Sequence, residues 1–215
     1  MAATGSSSST IKLYTHAMCP FAQKAWLALN FANAPFEMEQ IDLYGGKPSW
    51  FLELNPKGLV PVLKASEKVI TESEDILSFI GSDQFAEYAG NNMLQQPDRP
   101  SDVIYWRDAI DSKLKVVGKK AVLSMSGLGN GSELGKVLEE LEAKYSLTCS
   151  HEATFLAGGN PSIADCAAFP FLYRLSQHFK DGQDLYPHLM GNWLQLMESR
   201  EEVKSTIQKS WWWWW

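Results

Sequence analysis

The chain has 215 residues, a formal net charge of −6 and 45% hydrophobic residues. This length suffices for one large or two small domains. The sequence has neither the apolar run of about 18 residues that a transmembrane helix needs nor the basic stripe typical of nucleic-acid binding. We therefore predict no membrane span and no nucleic-acid partner, and we expect a soluble enzyme with a cytoplasmic location.

The chain opens with a tail, residues 1–10, that is rich in Ser, Ala and Thr. This tail has neither the apolar core of a signal peptide nor the arginines of a transit peptide, and we expect it to be disordered. A short strand-like run then ends near Tyr14, and a helix-like run begins near Gln23. His16 lies in the loop between them, where we interpret it as a solvent-facing residue rather than a metal ligand or a base.

This loop leads into the motif Cys19, Pro20, Phe21, Ala22. A thiol at a helix N-terminus faces unpaired backbone N–H groups and the positive end of the helix dipole, which predict a low pKa and a reactive thiolate. Ala22 takes the place of the resolving thiol in a CxxC oxidoreductase. A reactive Cys19 would therefore form a mixed disulfide with an external small thiol. The alternative is that Cys19 is only a small buried residue.

A second informative segment is the apolar run 59–63, which contains Pro61 and follows turn residues at 55–58. Because proline is tolerated at the start of a strand but not in its centre, Pro61 is predicted to open a strand. This position permits a cis Val60–Pro61 bond, which would leave the Val60 N–H and C=O free to pair with an extended peptide. An ordinary trans proline at a strand edge is the alternative.

A third segment, residues 68–80, is predicted to be a short β-hairpin that runs into a helix. The first turn of this helix contains Glu72, Ser73 and two further acids. Ser73 is placed like an N-cap, and its side chain with the local N–H groups is suited to holding a carboxylate. The alternative is simple capping, with the acids complementing the helix dipole.

The order of these three segments resembles the glutathione transferase family, most closely its cysteine-type members, the omega, lambda and dehydroascorbate reductase classes. The resemblance implies an α/β N-terminal thioredoxin-like domain followed by an all-α C-terminal domain, the glutathione transferase fold. It also implies that Cys19 is the catalytic thiol, which forms a mixed disulfide with the co-substrate glutathione. Phe21, beside this thiol, is implied to shape access to the sulfur.

The resemblance extends to further residues that would bind glutathione. Lys47 matches the omega-class lysine that approaches the glycyl carboxylate. Val60, before Pro61, matches the residue whose backbone pairs with the cysteinyl part. Glu72 and Ser73 match the pair that binds the γ-glutamyl end.

The second half of the sequence is predicted to be helical. Apolar residues recur at helical spacing from 103 to 117, and further helices are predicted at 133–145, near 189–198 and at 202–209. Ser162 and Asp165 form a variant capping box before the apolar stretch 166–172, and we interpret this pair as structural. The wall of the acceptor-substrate pocket is assigned to Tyr105, Trp106 and Phe169.

These observations predict a sequence of domains and segments along the chain. They are a disordered tail at 1–10, a thioredoxin-like glutathione-binding domain at 11–83, a linker at 84–97, an all-helical domain at 98–210 and a tryptophan tail at 211–215, to which we assign no catalytic role.

Cysteine usage adds little to this assignment. The three cysteines, at positions 19, 149 and 166, lie too far apart for a zinc motif, and their odd number gives no disulfide framework. We expect reduced thiols and no metal. Cys149 lies in a polar stretch and is predicted to be a surface thiol, whereas Cys166 is predicted to be packed in its helix.

The function that these residues predict is thiol exchange rather than conjugation. Cys19 would attack glutathionylated or oxidised small substrates, with thioltransferase activity as the first choice and dehydroascorbate reduction as the second. Tyr14 is a competing hydroxyl for conjugation chemistry. An intracellular chloride channel-like protein and a non-catalytic binder of hydrophobic ligands are alternatives. The resembled classes include both monomers and homodimers, so either state is open.

Overall fold

The computed structural model describes residues 11–124, 128, 131–149 and 154–208. The predicted tail at 1–10 and the tryptophan run at 211–215 lie outside the described residues. The domain boundaries proposed from the sequence stay predictions.

The first part of the chain forms a four-stranded sheet with three helices. The strands are β1 (Ile11–Thr15), β2 (Phe36–Gln40), β3 (Val62–Ala65) and β4 (Lys68–Ile70). The helices are α1 (Pro20–Phe31), α2 (Ser49–Leu54) and α3 (Ser73–Ile80). The strand order is β2-β1-β3-β4, in which β1 is parallel to β2 and antiparallel to β3, and β3 is antiparallel to β4.

The position of Pro61 explains where β3 begins. The Val60–Pro61 peptide bond is cis, which confirms the first of the two alternatives for this segment. Pro61 has no N–H for the sheet ladder, and β3 accordingly begins at the next residue, Val62. Leu13 in β1 and Leu63 in β3 face each other in the register and are fully buried, so the sheet places the chain around Pro61 beside the end of β1.

The second part of the chain is helical. A continuous helical segment consists of α4 (Pro100–Asp108), a π-helical stretch (Ala109–Leu114) and α5 (Lys115–Ser124). It is followed by α6 (Glu133–Thr148), α7 (Ile163–His178), α8 (Gly182–Leu185), a second π-helical stretch (Pro187–Trp193), α9 (Leu194–Ser199) and α10 (Glu201–Lys204). An α/β part followed by a helical part is the predicted fold class. None of the helices in the described ranges is long and apolar enough to cross a membrane.

Two local expectations differ from the structure. The helix predicted at 202–209 ends at Lys204, where α10 stops. The start of the predicted linker is a 3-10 turn (Asp83–Glu87), in which Phe85 is fully buried and packs edge-on against Phe79 with 5.5 Å between ring centroids. The turn packs against α3 because Phe85 continues the apolar face of that helix beyond its last residue.

The capping box that begins α7 is confirmed. Asp165 is fully buried and accepts four hydrogen bonds, from the N–H and hydroxyl of Ser162, the N–H of Leu156 and Nε1 of Trp193, at 2.9–3.0 Å. Burial raises the pKa of Asp165. These hydrogen bonds connect α7 to the segments that pack against it, so the buried acid has a structural role.

Candidate functional site

Cys19 lies at the N-cap of α1, directly before Pro20, as the sequence predicted. Its own N–H donates to the carbonyl of His16 at 2.9 Å, and its carbonyl accepts the N–H of Gln23 at 3.0 Å. The loop and the first helical turn therefore fix the Cys19 backbone from both sides, and Pro20 fits the first turn because its missing N–H would be unpaired there.

The thiol of Cys19 is enclosed, with only 7% of the residue exposed. Its Sγ atom lies 3.8 Å from the carbonyl oxygen of Val60, to which the thiol donates a weak hydrogen bond. Its apolar surroundings, here called the Cys19 cluster, are Tyr14, Ala22, Ile41, Phe51, Val60 and Val62. Strands β1 and β3, α1 and α2 thus contribute residues to one apolar cluster with Cys19.

The electrostatic surroundings of this thiol differ from the sequence prediction. Burial raises the pKa of Cys19, whereas the backbone N–H groups of Ala22 and Phe21 and the charge of Arg174 lower it by a smaller amount. The predicted low pKa is therefore wrong for this enclosed geometry, because desolvation of the thiolate outweighs the helix N-terminus. The predicted N–H groups are present.

Val60 is in the predicted place, but one of its backbone groups is engaged. The sequence predicted that both the N–H and the C=O would be free for an extended peptide, and in the structure the C=O accepts the Cys19 thiol. The Val60 carbonyl, before the cis bond to Pro61, thus faces the thiol at the start of α1. A peptide that paired with Val60 would consequently lie against the sulfur.

Lys47 lies across the turn that precedes this segment. A Cβ atom on Gly58 would stand 2.7 Å from Cδ of Lys47 and 3.2 Å from its Nζ, and Gly58 has φ of +61°. The backbone conformation therefore favours glycine at position 58, and an added Cβ would displace the flexible Lys47 side chain. The half-buried Lys47 therefore passes close to Gly58, two residues before Val60.

Glu72 and Ser73 lie at the start of α3, but the helix begins one residue earlier than predicted. Glu72 is the N-cap and Ser73 the first helical residue, with no side-chain capping bond from Glu72. The interpretation of Ser73 as the N-cap is corrected, because Ser73 already has helical geometry. The exposed Glu72 carboxylate accepts from Nζ of Lys57 at 2.6 Å, and Glu72 raises the pKa of Lys57.

Phe21 marks the contact between the two parts of the chain. Its ring packs edge-on against Phe171 of α7, with 5.6 Å between centroids. The ammonium groups of Lys24 and Lys115 lie 5.8 and 5.7 Å from the centroid of the Phe21 ring. Phe21 is half-buried, so it is positioned beside Cys19 with one part of its surface open to solvent.

The predicted acceptor-pocket residues do not form a common wall. Trp106 and Phe169 are fully buried in the helical core, where Phe169 stacks on Tyr173 at 5.3 Å. Neither presents a surface to a ligand, so the structure corrects both to core residues. Tyr105 is half-buried, donates to Glu140 at 3.2 Å and has its pKa raised to about 12, first by burial.

Sequence reasoning missed Arg174, a buried arginine on α7 that contacts the Cys19 loop. Its Nη2 donates to the Met18 carbonyl at 3.2 Å and its Nη1 to Oε1 of Gln23 at 2.8 Å. Burial lowers the pKa of Arg174 to about 9. A single arginine at the end of an otherwise apolar helical stretch is the signal that could have identified it.

The remaining cysteines lie outside the Cys19 cluster. Cys166 is fully buried, as predicted, and burial raises its pKa well above its ordinary value. Cys149 is half-buried at the end of α6, so the predicted surface position is corrected. Within the part of the chain that the structure describes, no three His, Cys, Asp or Glu side chains are grouped to hold a metal ion.

Comparison with known proteins gives the class to which this arrangement belongs. The glutathione S-transferase N-terminal domain matches residues 18–83, and the glutathione S-transferase C-terminal domain matches residues 130–201. The chain is 28% identical over 195 residues to glutathione S-transferase DHAR3, chloroplastic, of Arabidopsis thaliana, with 87% of this chain and 68% of that protein covered. It is 30% identical over 167 residues to glutathione S-transferase omega-1 of Mus musculus, covering 77% and 67%.

The chain therefore belongs to the glutathione S-transferase family, whose substrate is glutathione. The fold agrees with this membership. The crystal structure of glutathione transferase Omega 2C from Trametes versicolor superimposes with a TM-score of 0.72 at 24% identity, covering 94% of this chain and 95% of that one. At this identity the likeness concerns the fold alone.

Proposed function

We propose that this protein is a cysteine-type glutathione transferase that acts as a glutathione-dependent thioltransferase through Cys19. The observation that carries the proposal is the contact between the Cys19 thiol and the Val60 carbonyl before the cis Pro61. A glutathione whose cysteinyl part pairs with the Val60 backbone has its sulfur beside Cys19 Sγ. Ala22, at the resolving position, leaves a second glutathione to complete the cycle.

The proposed reaction has two exchange steps. The Cys19 thiolate attacks the glutathionyl sulfur of a mixed disulfide, the sulfur–sulfur bond breaks, and the other half leaves as a thiolate that takes up a proton. Cys19 then carries glutathione in a disulfide. A second glutathione, as its thiolate, attacks the glutathionyl sulfur and leaves as glutathione disulfide, which regenerates the Cys19 thiolate.

Deprotonation of Cys19 is the step that the site must assist. Burial opposes the thiolate, whereas the N–H groups of Phe21 and Ala22 and the charge of Arg174 favour it. These three groups are fixed before any reaction, so they stabilise charge on the sulfur without reorganisation. Exchange proceeds through the thiolate fraction that they maintain.

The other predicted residues are proposed to hold the two ends of glutathione. Lys47 supplies a positive charge for the glycyl carboxylate. Glu72 supplies a negative charge for the γ-glutamyl ammonium group, and Ser73 with the first N–H groups of α3 is suited to its carboxylate. Phe21 limits access to the sulfur from the side of the helical part. No metal takes part in this mechanism.

Dehydroascorbate reduction is the second candidate, favoured by the resemblance to the dehydroascorbate reductase class and by relatives such as DHAR3. In this reaction dehydroascorbate gains two electrons and two protons from two glutathione molecules, which leave as glutathione disulfide. The mixed disulfide on Cys19 is the intermediate common to both reactions. Conjugation through Tyr14 is not favoured, since its ring is buried among the aromatic side chains of α2.

We also propose a cytoplasmic location, because none of the three cysteines is in a disulfide and reduced thiols are typical of reducing compartments. The partners proposed are glutathione and small oxidised or glutathionylated molecules. For the assembly we propose a monomer or a homodimer, the two states found in the resembled classes.

The test is glutathione-dependent reduction of a mixed disulfide of glutathione and 2-mercaptoethanol, beside dehydroascorbate and a chloronitrobenzene acceptor. Wild type, Cys19→Ser and the matched control Cys149→Ser are compared. We expect reduction of one or both oxidised substrates by wild type and Cys149→Ser, and none by Cys19→Ser. Conjugation alone, or full activity of Cys19→Ser, would contradict the proposal. Inactivity of wild type in all three assays would favour a binding or channel role.

A further inference from the structure

Arg174 is a buried cation that links the helical part of the chain to the loop of the candidate nucleophile. The residue is 4% exposed and lies on α7. Its Nη1 donates to the carbonyl of Pro170 at 2.6 Å and to Oε1 of Gln23 at 2.8 Å, and its Nη2 donates to the carbonyl of Met18 at 3.2 Å. Met18 is the residue immediately before Cys19, so the guanidinium contacts the turn that carries the thiol.

Gln23 connects this guanidinium to two other segments. Its backbone N–H donates to the Cys19 carbonyl at 3.0 Å. Its side-chain Nε2 donates to the hydroxyl of Thr206 at 3.0 Å, and that hydroxyl donates to the Val203 carbonyl at 2.8 Å. Gln23 and Thr206 are both buried. The first turn of α1, the middle of α7 and the chain after α10 therefore meet behind Cys19 in one chain of hydrogen bonds.

Among the causes that shift the pKa of Cys19, Arg174 is the one charged side chain. Tyr14 lies in the Cys19 cluster, and Tyr44 lies in the loop after β2. His16, in the preceding loop, accepts the Met18 N–H at Nδ1 over 3.3 Å. Cys19, at the start of α1, and Tyr173, on α7, both raise the pKa of Arg174, and Arg174 lowers the pKa of Cys19, so the arginine and the sulfur stabilise each other's charged states.

A buried guanidinium is costly to desolvate, and its effect on nearby charges is strong because little water screens it. We propose that Arg174 is a positioning residue for Cys19: from the helical part it fixes the turn at Met18 and favours the thiolate, while Gln23 and Thr206 hold the guanidinium in place. The inference rests on the proposed exchange role of Cys19. It assigns to the helical part a direct influence on the reacting sulfur.

The test is the rate of Cys19 alkylation by iodoacetamide as a function of pH, measured in the full chain by peptide mapping. Wild type, Arg174→Met and Arg174→Lys are compared. We expect Arg174→Met to shift the profile to higher pH. At pH values below the midpoint, its alkylation rate is expected to be about tenfold lower than that of wild type, the factor for one pKa unit. Arg174→Lys keeps the charge and is expected to restore most of the rate.

Two further variants separate charge from packing. Gln23→Glu places a carboxylate against the guanidinium at nearly constant volume, and we expect it also to shift the profile to higher pH. Lys24→Met is the control, because it removes a different buried cation, which lies on α1 and pairs with Glu74. We expect it to leave the pH profile of alkylation unchanged. If Arg174→Met does not fold, as judged by circular dichroism, Gln23→Glu still tests whether the charge of Arg174 affects the pH profile of Cys19 alkylation.

The outcomes also separate this inference from the proposed function. Folded Arg174→Met and Gln23→Glu with wild-type pH profiles would overturn the inference, even if both variants lost thermal stability, because a purely structural role leaves the profile unchanged. Such a result would leave the exchange role of Cys19 intact. Full thioltransferase activity of Cys19→Ser would instead overturn the proposed function.

Discussion

The Sγ atom of Cys19 and the carbonyl oxygen of Val60 lie 3.8 Å apart, although 41 positions separate the two residues in the chain. One atom belongs to the N-terminus of α1 and the other to the backbone before a cis proline. The contact places a candidate nucleophile against the backbone that the family resemblance assigns to the cysteinyl part of glutathione. Pairing of glutathione with Val60 therefore also presents its sulfur to Cys19.

The pH dependence of Cys19 reactivity follows from its burial. Burial raises the pKa of the thiol above its ordinary value of 9.0, so the protonated form is favoured at neutral pH and the thiolate appears only as the pH rises through the raised value. Without glutathione, we expect alkylation of wild-type Cys19 to be slow near pH 7 and to have its midpoint above 9.0. Rapid alkylation with a midpoint below neutrality would contradict this prediction.

The pair formed by Lys24 and Glu74 is expected to be asymmetric in its contribution to stability. Lys24 is fully buried and donates to Glu74 at 2.7 Å, and Arg107 also donates to this carboxylate at 2.9 Å. Glu74→Gln leaves the buried ammonium without its counter-charge and is expected to cost about 3 kcal/mol of unfolding free energy. Lys24→Met removes the charge at similar volume and is expected to cost less than about 1 kcal/mol.

Urea unfolding of both variants measures this asymmetry. The pair Lys57 and Glu72 is the matched control, since its side chains are 66% and 55% exposed. Lys57→Met is expected to change the unfolding free energy by no more than about 1 kcal/mol, as is usual for exposed ion pairs. Equal costs for Glu74→Gln and Lys24→Met would contradict the interpretation of Lys24 as a buried cation that depends on Glu74.

Substitution of Gly58 by Ala is expected to impair both stability and glutathione binding. The φ of +61° costs about 1–2 kcal/mol for a residue with a Cβ, and the new Cβ would collide with Lys47. Gly90 has φ of +63° with no atom within 4 Å of an added Cβ, so Gly90→Ala carries the backbone strain alone. We expect similar losses of stability, but a raised KM for glutathione only in Gly58→Ala. An unchanged KM for glutathione in Gly58→Ala would contradict the assignment of Lys47 to the glutathione site.

Asp165 provides a test of the structural interpretation of the capping box. Asp165→Ala leaves four buried or partly buried donors without their acceptor, and each unsatisfied group costs about 1–3 kcal/mol. We expect a loss of more than about 3 kcal/mol in urea unfolding, with a smaller loss in Asp165→Asn. Loss of thioltransferase activity in a fully stable Asp165→Asn would indicate a functional role instead.

The features predicted correctly from the sequence depend on neighbours along the chain. Cys19 at the start of a helix follows from the adjacent Pro20 and the apolar residues after it. The cis bond before Pro61 and the capping box at Ser162 are likewise encoded within a few residues. Local backbone chemistry decides these features, although the sequence alone leaves a trans Val60–Pro61 bond open as the alternative.

The features predicted incorrectly depend on residues distant in sequence. The pKa of Cys19 is raised by burial in a cluster to which Phe51 and Val62 contribute from separate elements. Trp106 was assigned to a pocket because aromatic type does not reveal which face of a helix is buried. Arg174 was overlooked because its partners Met18 and Gln23 lie more than 150 positions away.

The central claim is that Cys19 carries glutathione as a disulfide during turnover. The most direct measurement is peptide-mapped mass spectrometry of wild type after incubation with the mixed disulfide of glutathione and 2-mercaptoethanol, before and after addition of free glutathione. The account predicts a glutathionyl group on Cys19 that free glutathione removes, with release of glutathione disulfide. Turnover without any adduct on Cys19, or with an adduct confined to Cys149, would contradict it.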